Sequence, residues 1–82
     1  MNVVATATWP QPVLVRIGYG ASEPVQSASE ALHYLLRRWP AERGPRYEEA
    51  MQACTAASEG TVCADAAREA FLVAVVEAHL RA

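Results

Sequence analysis

The stretch Ser27-Ala-Ser-Glu-Ala-Leu-His-Tyr-Leu-Leu-Arg-Arg-Trp39-Pro40 carries both its own start and its own stop. Ser27 and Glu30 match the capping box Ser-x-x-Glu, in which the hydroxyl accepts from the Glu30 amide and the carboxylate reaches back to the Ser27 amide. Ser29 is a second candidate cap, two residues on. Ala28, Ala31, Leu32, Leu35, Leu36 and Trp39 recur at three- and four-residue spacing and predict one apolar stripe. Arg37 and Arg38 fall in the last turn, where the helix dipole favours cations. Pro40 disfavours a helical conformation at Trp39, so the helix should stop there.

The segments on either side must cover that stripe. Val13-Leu-Val-Arg-Ile17 alternates like a half-buried strand, and Val25-Gln-Ser27 predicts a short second one. The two make a hairpin, which is marginal alone and must be covered by a helix or extended by a partner. Trp9-Pro-Gln-Pro12 leads in as a rigid extended segment. Residues 1–8 are expected to be a flexible tail, and residues 9–82 one small domain.

Downstream, Pro45 suits the first position of a second helix, and Gly60 suits the left-handed residue just past its end. Tyr47, Ala50, Met51, Cys54 and Ala57 give that helix its buried stripe. Thr61 is the expected N-cap of a third helix, with Asp65 in its first turn and an end near Leu80. Ala67, Ala70, Phe71, Ala74, Val75 and Ala78 form one stripe of it, and Leu72, Val73, Val76 and Leu80 form a second. A helix apolar around most of its circumference is buried or lies in an interface. The fold class is therefore α+β: a β-hairpin followed by three α-helices packed on one face. The core should contain Val13, Val15, Ile17, Leu32, Leu35, Trp39, Tyr47, Met51, Cys54, Phe71 and Val75.

The pattern Trp9, Pro12-Val13, Gly18, Ser27, Glu30-Ala31, Leu35, Trp39-Pro40 continues through Gly44, Tyr47, Ala50, Cys54 and Gly60. It closes with Ala67-Arg68, Phe71, Ala74 and Glu77-Ala78. It resembles a family of small bacterial proteins catalogued as domain of unknown function 982. The resemblance implies a shared fold and carries no activity or site residue with it.

Eighty-two residues with a net charge of -2 set no bulk field that would attract nucleic acid or an anionic membrane. The two cysteines, Cys54 and Cys63, are too few for a secreted disulfide scaffold. The first residues have no basic segment followed by an apolar run, unlike a signal peptide, so a cytoplasmic location is expected. No apolar run approaches the length of a membrane span.

Four constellations are candidates for chemistry. Arg37, Arg38, Arg43 and Arg46, interleaved with Trp39 and Tyr47, could bind an anion or a single-stranded nucleic acid by charge and stacking. Dipole complementation and a solvated loop explain the same residues. Cys54, Cys63, His33 and His79 have no metal-site spacing, so no metal or cofactor is expected. Glu48 and Glu49, adjacent on a helix, point about 100° apart and cannot form a dyad. No nucleophile, base and oxyanion site are arranged together, which argues against an enzyme. Arg68, among alanines, needs a carboxylate or carbonyl partner if it is buried. The leading reading is a homodimeric protein-interaction module that uses Leu72, Val73, Val76 and Leu80, together with an exposed strand edge. The alternative is a nucleic-acid or anion-binding module that uses the four arginines.

Overall fold

In the computed structural model, which describes residues 9–17, 20–40 and 43–81, two strands precede three helices. Strands β1 (Val13–Val15) and β2 (Glu23–Val25) pair antiparallel, with Val13 opposite Val25, Leu14 opposite Pro24 and Val15 opposite Glu23. Helix α1 (Ala28–His33) runs into a π-helical turn over Tyr34–Arg38. Helices α2 (Pro45–Ser58) and α3 (Ala64–Glu77) follow and pack along each other. The architecture is the expected α+β arrangement. The tail expected over residues 1–8 lies outside the described residues, as do Gly18 and Tyr19 of the hairpin loop.

The second strand lies two residues upstream of its expected place, for a local reason. Ser27 is extended at φ -156°, and its Oγ accepts from the Glu30 amide at 3.2 Å, as the capping box requires. The Glu30 carboxylate, however, takes the Gln26 amide at 2.9 Å and not that of Ser27. The Gln26 carbonyl accepts from the Trp9 amide. Both backbone groups of Gln26 are thus used outside the sheet, and the strand ends at Val25.

The end of the first helix is set by Pro40. In the widened turn the Leu35 carbonyl would seek the N–H five residues on, which is Pro40 and has none. Tyr47 Oη donates to that carbonyl at 2.8 Å instead, tying α2 to the turn. Trp39 then leaves in an extended conformation at ψ 142°. Ala28, Ala31, Leu35 and Trp39 hold the buried stripe, Leu32 is half-buried, and Leu36 is left exposed.

Phe71 sits at the centre of the core. Its ring lies 6.0 Å from Trp9 and 5.8 Å from Trp39, and Trp39 lies 6.0 Å from Tyr47, all in tilted pairs. Val13, Val15, Val25, Leu35, Cys54 and Val75 complete the large buried side chains. Ile17, Leu32, Tyr47 and Met51 are half-buried against them. Small residues (Ala50, Cys54 and Ala57 on α2; Ala67 and Ala74 on α3) let the two helices approach closely.

The two ends of the α2–α3 connection differ from expectation. Gly60, at φ 83°, ends α2 with paired reverse bonds, its own amide to Ala57 and the Thr61 amide to Ala56. Thr61 is therefore spent on closing α2, and its hydroxyl also donates to the Ala56 carbonyl. It does not cap α3; the N-cap position is Cys63. Arg68 is half-buried, and its Nε donates to the Gln11 carbonyl at 2.7 Å, pinning α3 to the lead-in of β1.

Candidate functional site

Helix α3 buries Ala67, Phe71, Ala74 and Val75. At 100° per residue, Glu69, Val73 and Val76 fall on the opposite side. Val73 is 44% and Val76 49% exposed, and Leu72 is half-buried beside them. The second apolar face expected from the sequence is thus present over these three residues.

Leu80 does not belong to that face. Helix α3 ends at Glu77, because His79 adopts a left-handed conformation at φ 60°. Its amide donates to Val76 and that of Leu80 to Val75, the reverse-bond pattern that usually employs glycine. The reversal turns Leu80 into the core, where it is 7% exposed. The chain then returns along the sheet. The Leu80 carbonyl accepts from the Arg16 amide at 2.9 Å, and Arg81 forms an antiparallel bridge with Val15. The outer edge of β1 is therefore taken, at Val15, by Arg81, which leaves less of the exposed strand edge expected to meet a partner.

Three of the four arginines singled out in the sequence meet partners within the chain. Arg38 makes two bonds to Glu23, at 2.7 and 3.2 Å, and lies over the Tyr34 ring at 4.9 Å. Tyr34 Oη also donates to Glu23. The bonds from Arg38, then that from Tyr34, hold the Glu23 carboxyl below the usual glutamate range. Arg46 pairs with Glu49 at 2.8 Å, one turn along α2. Arg43 lies over the Tyr47 ring at 4.7 Å, and Arg37 is exposed. Glu23 comes from β2, so the sheet neutralises a cation that the linear sequence places far from it.

Glu77 has a role that sequence reasoning missed. Gly44, the N-cap of α2, has no side chain to offer the helix, and Glu77 Oε1 accepts the Arg46 amide at 3.2 Å in its place. The carboxylate supplies both the acceptor and the negative charge favoured at a helix start. It borders a cleft of about 350 Å³ with Trp39, Pro40, Arg43 and His79. A second cleft, of about 200 Å³, lies between β1 and α3 and is lined by Pro12, Val13, Leu14, Arg68, Leu72 and Arg81.

Both cysteines are free. Cys54 is buried, and burial pushes its thiol up to about 12, so it is not a thiolate at neutral pH. Cys63 is exposed. Among the described residues no three His, Cys, Asp or Glu side chains converge as a metal site would require, and no helix is long and apolar enough to cross a membrane.

The profile of a family described as Protein of unknown function (DUF982) matches residues 11–82. The chain belongs to that family. Among solved structures, the DUF982 chain is similar to the NMR structure of the Agrobacterium tumefaciens protein Atu1219, a structural-genomics target. The two share 30% identity at a TM-score of 0.77, over 100% of this chain and 81% of that one. No curated protein matches.

Proposed function

We propose that this DUF982 protein is a non-enzymatic interaction module that works as a homodimer, joined through the outer face of α3. The observation that carries the reading is the pair Val73 and Val76. Two β-branched residues about half exposed, one turn apart, flank Leu72 on a helix whose other face is fully used by the core. Leu14, also exposed, lines the same cleft as Leu72 and extends the apolar surface onto the sheet. The occupant in this reading is a second copy, since an isologous pairing covers the same apolar patch on both chains. Arg81, turned back at His79, lies with Arg68 and Leu72 at that cleft, on the same half of α3 as Glu69. Two free thiols, one of them buried, suit a reducing cytoplasm.

The test is the solution mass by light scattering on a sizing column, for the wild type and for Val73→Glu/Val76→Glu. A dimer that becomes a monomer on substitution, with an unchanged circular-dichroism spectrum, supports the reading. A wild-type monomer, or a mass unchanged by the double substitution, removes it.

A further inference from the structure

We infer that the cleft between the start of α2 and the end of α3 is a binding site for a free α-amino acid with an apolar side chain. The inference stands apart from the dimer reading, since Leu72, Val73 and Val76 do not line this cleft. Its space of about 350 Å³ is of ligand-pocket size and lies where two helix ends meet. Trp39 forms an apolar wall with Pro40 and Ala78. That wall is rigid, because Trp39 is 6% exposed and packs against Phe71 and Tyr47. Arg43, Glu77 and His79 stand around it. Arg43 lies over the Tyr47 ring at 4.7 Å and is exposed, so it is anchored at the cleft without being sealed from solvent. Glu77 gives Oε1 to the Arg46 amide, and among the described residues its Oε2 takes no hydrogen bond.

The lining carries both signs of charge, and that selects the ligand. A simple anion meets Arg43 but is repelled by Glu77, and a simple cation meets the reverse. A zwitterion satisfies both groups: its ammonium donates to Glu77 Oε2, and its carboxylate accepts from Arg43. The side chain then lies against Trp39 and Pro40. Gly44 keeps the carboxylate of Glu77 in place, because a Cβ there would stand 2.6 Å from Oε1. His79 is the independent sign. Among the described residues it is the one non-glycine with a positive φ, 60°, at a turn where glycine is the usual choice. Backbone strain of this kind clusters at ligand clamps. Glycine would make the same turn and bring no side chain, whereas histidine adds a donor for the ligand's carboxylate beside Arg43.

The experiment is an amide-resolved NMR titration of the isotope-labelled full chain. The probes are L-phenylalanine, L-leucine and L-methionine, with N-acetyl-L-phenylalanine (no ammonium) and L-phenylalaninamide (no carboxylate) beside them. Saturable shifts are expected at the Gly44, Arg46 and His79 amides, with a dissociation constant on the order of 1 mM or tighter for at least one amino acid. Both derivatives are expected to bind about tenfold more weakly than L-phenylalanine. Arg43→Gln and Glu77→Gln should each weaken binding about tenfold, the second while keeping an acceptor for the Arg46 amide. Circular dichroism confirms that each variant is folded. His79→Gly relieves the left-handed turn, so it should hold or raise the melting temperature while weakening binding, a split that a merely structural histidine would not give. Absence of saturable shifts with all three amino acids overturns the site. A derivative that binds as tightly as L-phenylalanine overturns the zwitterion assignment, and so does unchanged affinity in Arg43→Gln or Glu77→Gln.

Discussion

Replacing Gly44 with alanine asks whether Glu77 caps α2 from the far end of α3. Gly44 sits at φ -96° and ψ -174°, extended backbone that alanine adopts without strain. On conformational grounds alone the substitution should stabilise by about 0.4–1 kcal/mol, through the lost freedom of the unfolded chain. The space at this position argues the other way. A Cβ on Gly44 would lie 2.6 Å from Glu77 Cδ and Oε1 and 2.7 Å from Oε2. The carboxylate has to move, and its bond to the Arg46 amide goes with it. Loss of a cap costs about 1 kcal/mol, and loss of an acidic charge at a helix start adds roughly 0.3–1 kcal/mol. Gly44→Ala is therefore expected to destabilise by about 0.5–1 kcal/mol net of the conformational gain. Glu77→Ala should cost about 1–2 kcal/mol.

The two substitutions must not add. Once Glu77→Ala has removed the carboxylate, Gly44→Ala meets no obstacle and should stabilise by its intrinsic ~0.4–1 kcal/mol. The coupling is then on the order of 1–2 kcal/mol, well above the few tenths expected of independent sites. Urea unfolding of the four proteins, followed by circular dichroism at low salt, measures it. In a domain of this size each kcal/mol also moves the melting temperature by about 4–8 °C. A stabilised Gly44→Ala single variant, or an equal effect of the substitution in both backgrounds, would refute the capping argument.

Tyr47→Phe should cost about 1–3 kcal/mol in denaturant unfolding, because it strands the Leu35 carbonyl, whose backbone donor Pro40 cannot supply. Unchanged stability would mean that water serves that carbonyl equally well. The Glu23 carboxyl, held low by Arg38 and Tyr34, contributes stability that is present above its unfolded titration and lost as pH falls through its lower folded titration. A carboxyl NMR titration should place Glu23 below the ordinary glutamate value in the wild type and return it toward that value in Arg38→Gln. An ordinary midpoint in the wild type would show that the ion pair does not persist in solution.

What the sequence made legible was whatever is decided within a few residues. The Ser27 cap, the stop at Trp39-Pro40, Pro45 as the first residue of α2 and Gly60 as its terminator each depend on near neighbours. The stripes of α2 and α3 followed from spacing, and with them the burial of Cys54, Phe71 and Val75. Features that depend on distant chain were not legible. Glu23 answers Arg38 from fifteen residues away, and Glu77 reaches Arg46 from thirty-one. Trp9 reads as part of a rigid lead-in, yet it is buried against Phe71, because its amide is held by Gln26 on the other side of the hairpin. The widening of the helix after His33 has no local signature beyond Pro40, and it is what leaves Leu36 outside the stripe.

The largest departure, at the C-terminal end, traces to one residue. A helix continued through Leu80 would add that side chain to the face of Val73 and Val76 and leave the free edge of β1 open. Nothing in Glu77-Ala-His-Leu-Arg81 announces a turn, since the left-handed position is held by histidine, where glycine is the usual signal. With His79 at φ 60°, Leu80 enters the core and its carbonyl takes the Arg16 amide. Arg81 is brought beside β1, where its side chain meets the cleft that Arg68 lines. The same turn that shrinks the apolar face thus supplies its second cation. The exposed apolar surface is consequently smaller than the sequence stripe implies, with Leu72, Val73 and Val76 on α3 and the guanidinium groups of Arg68 and Arg81 at its border.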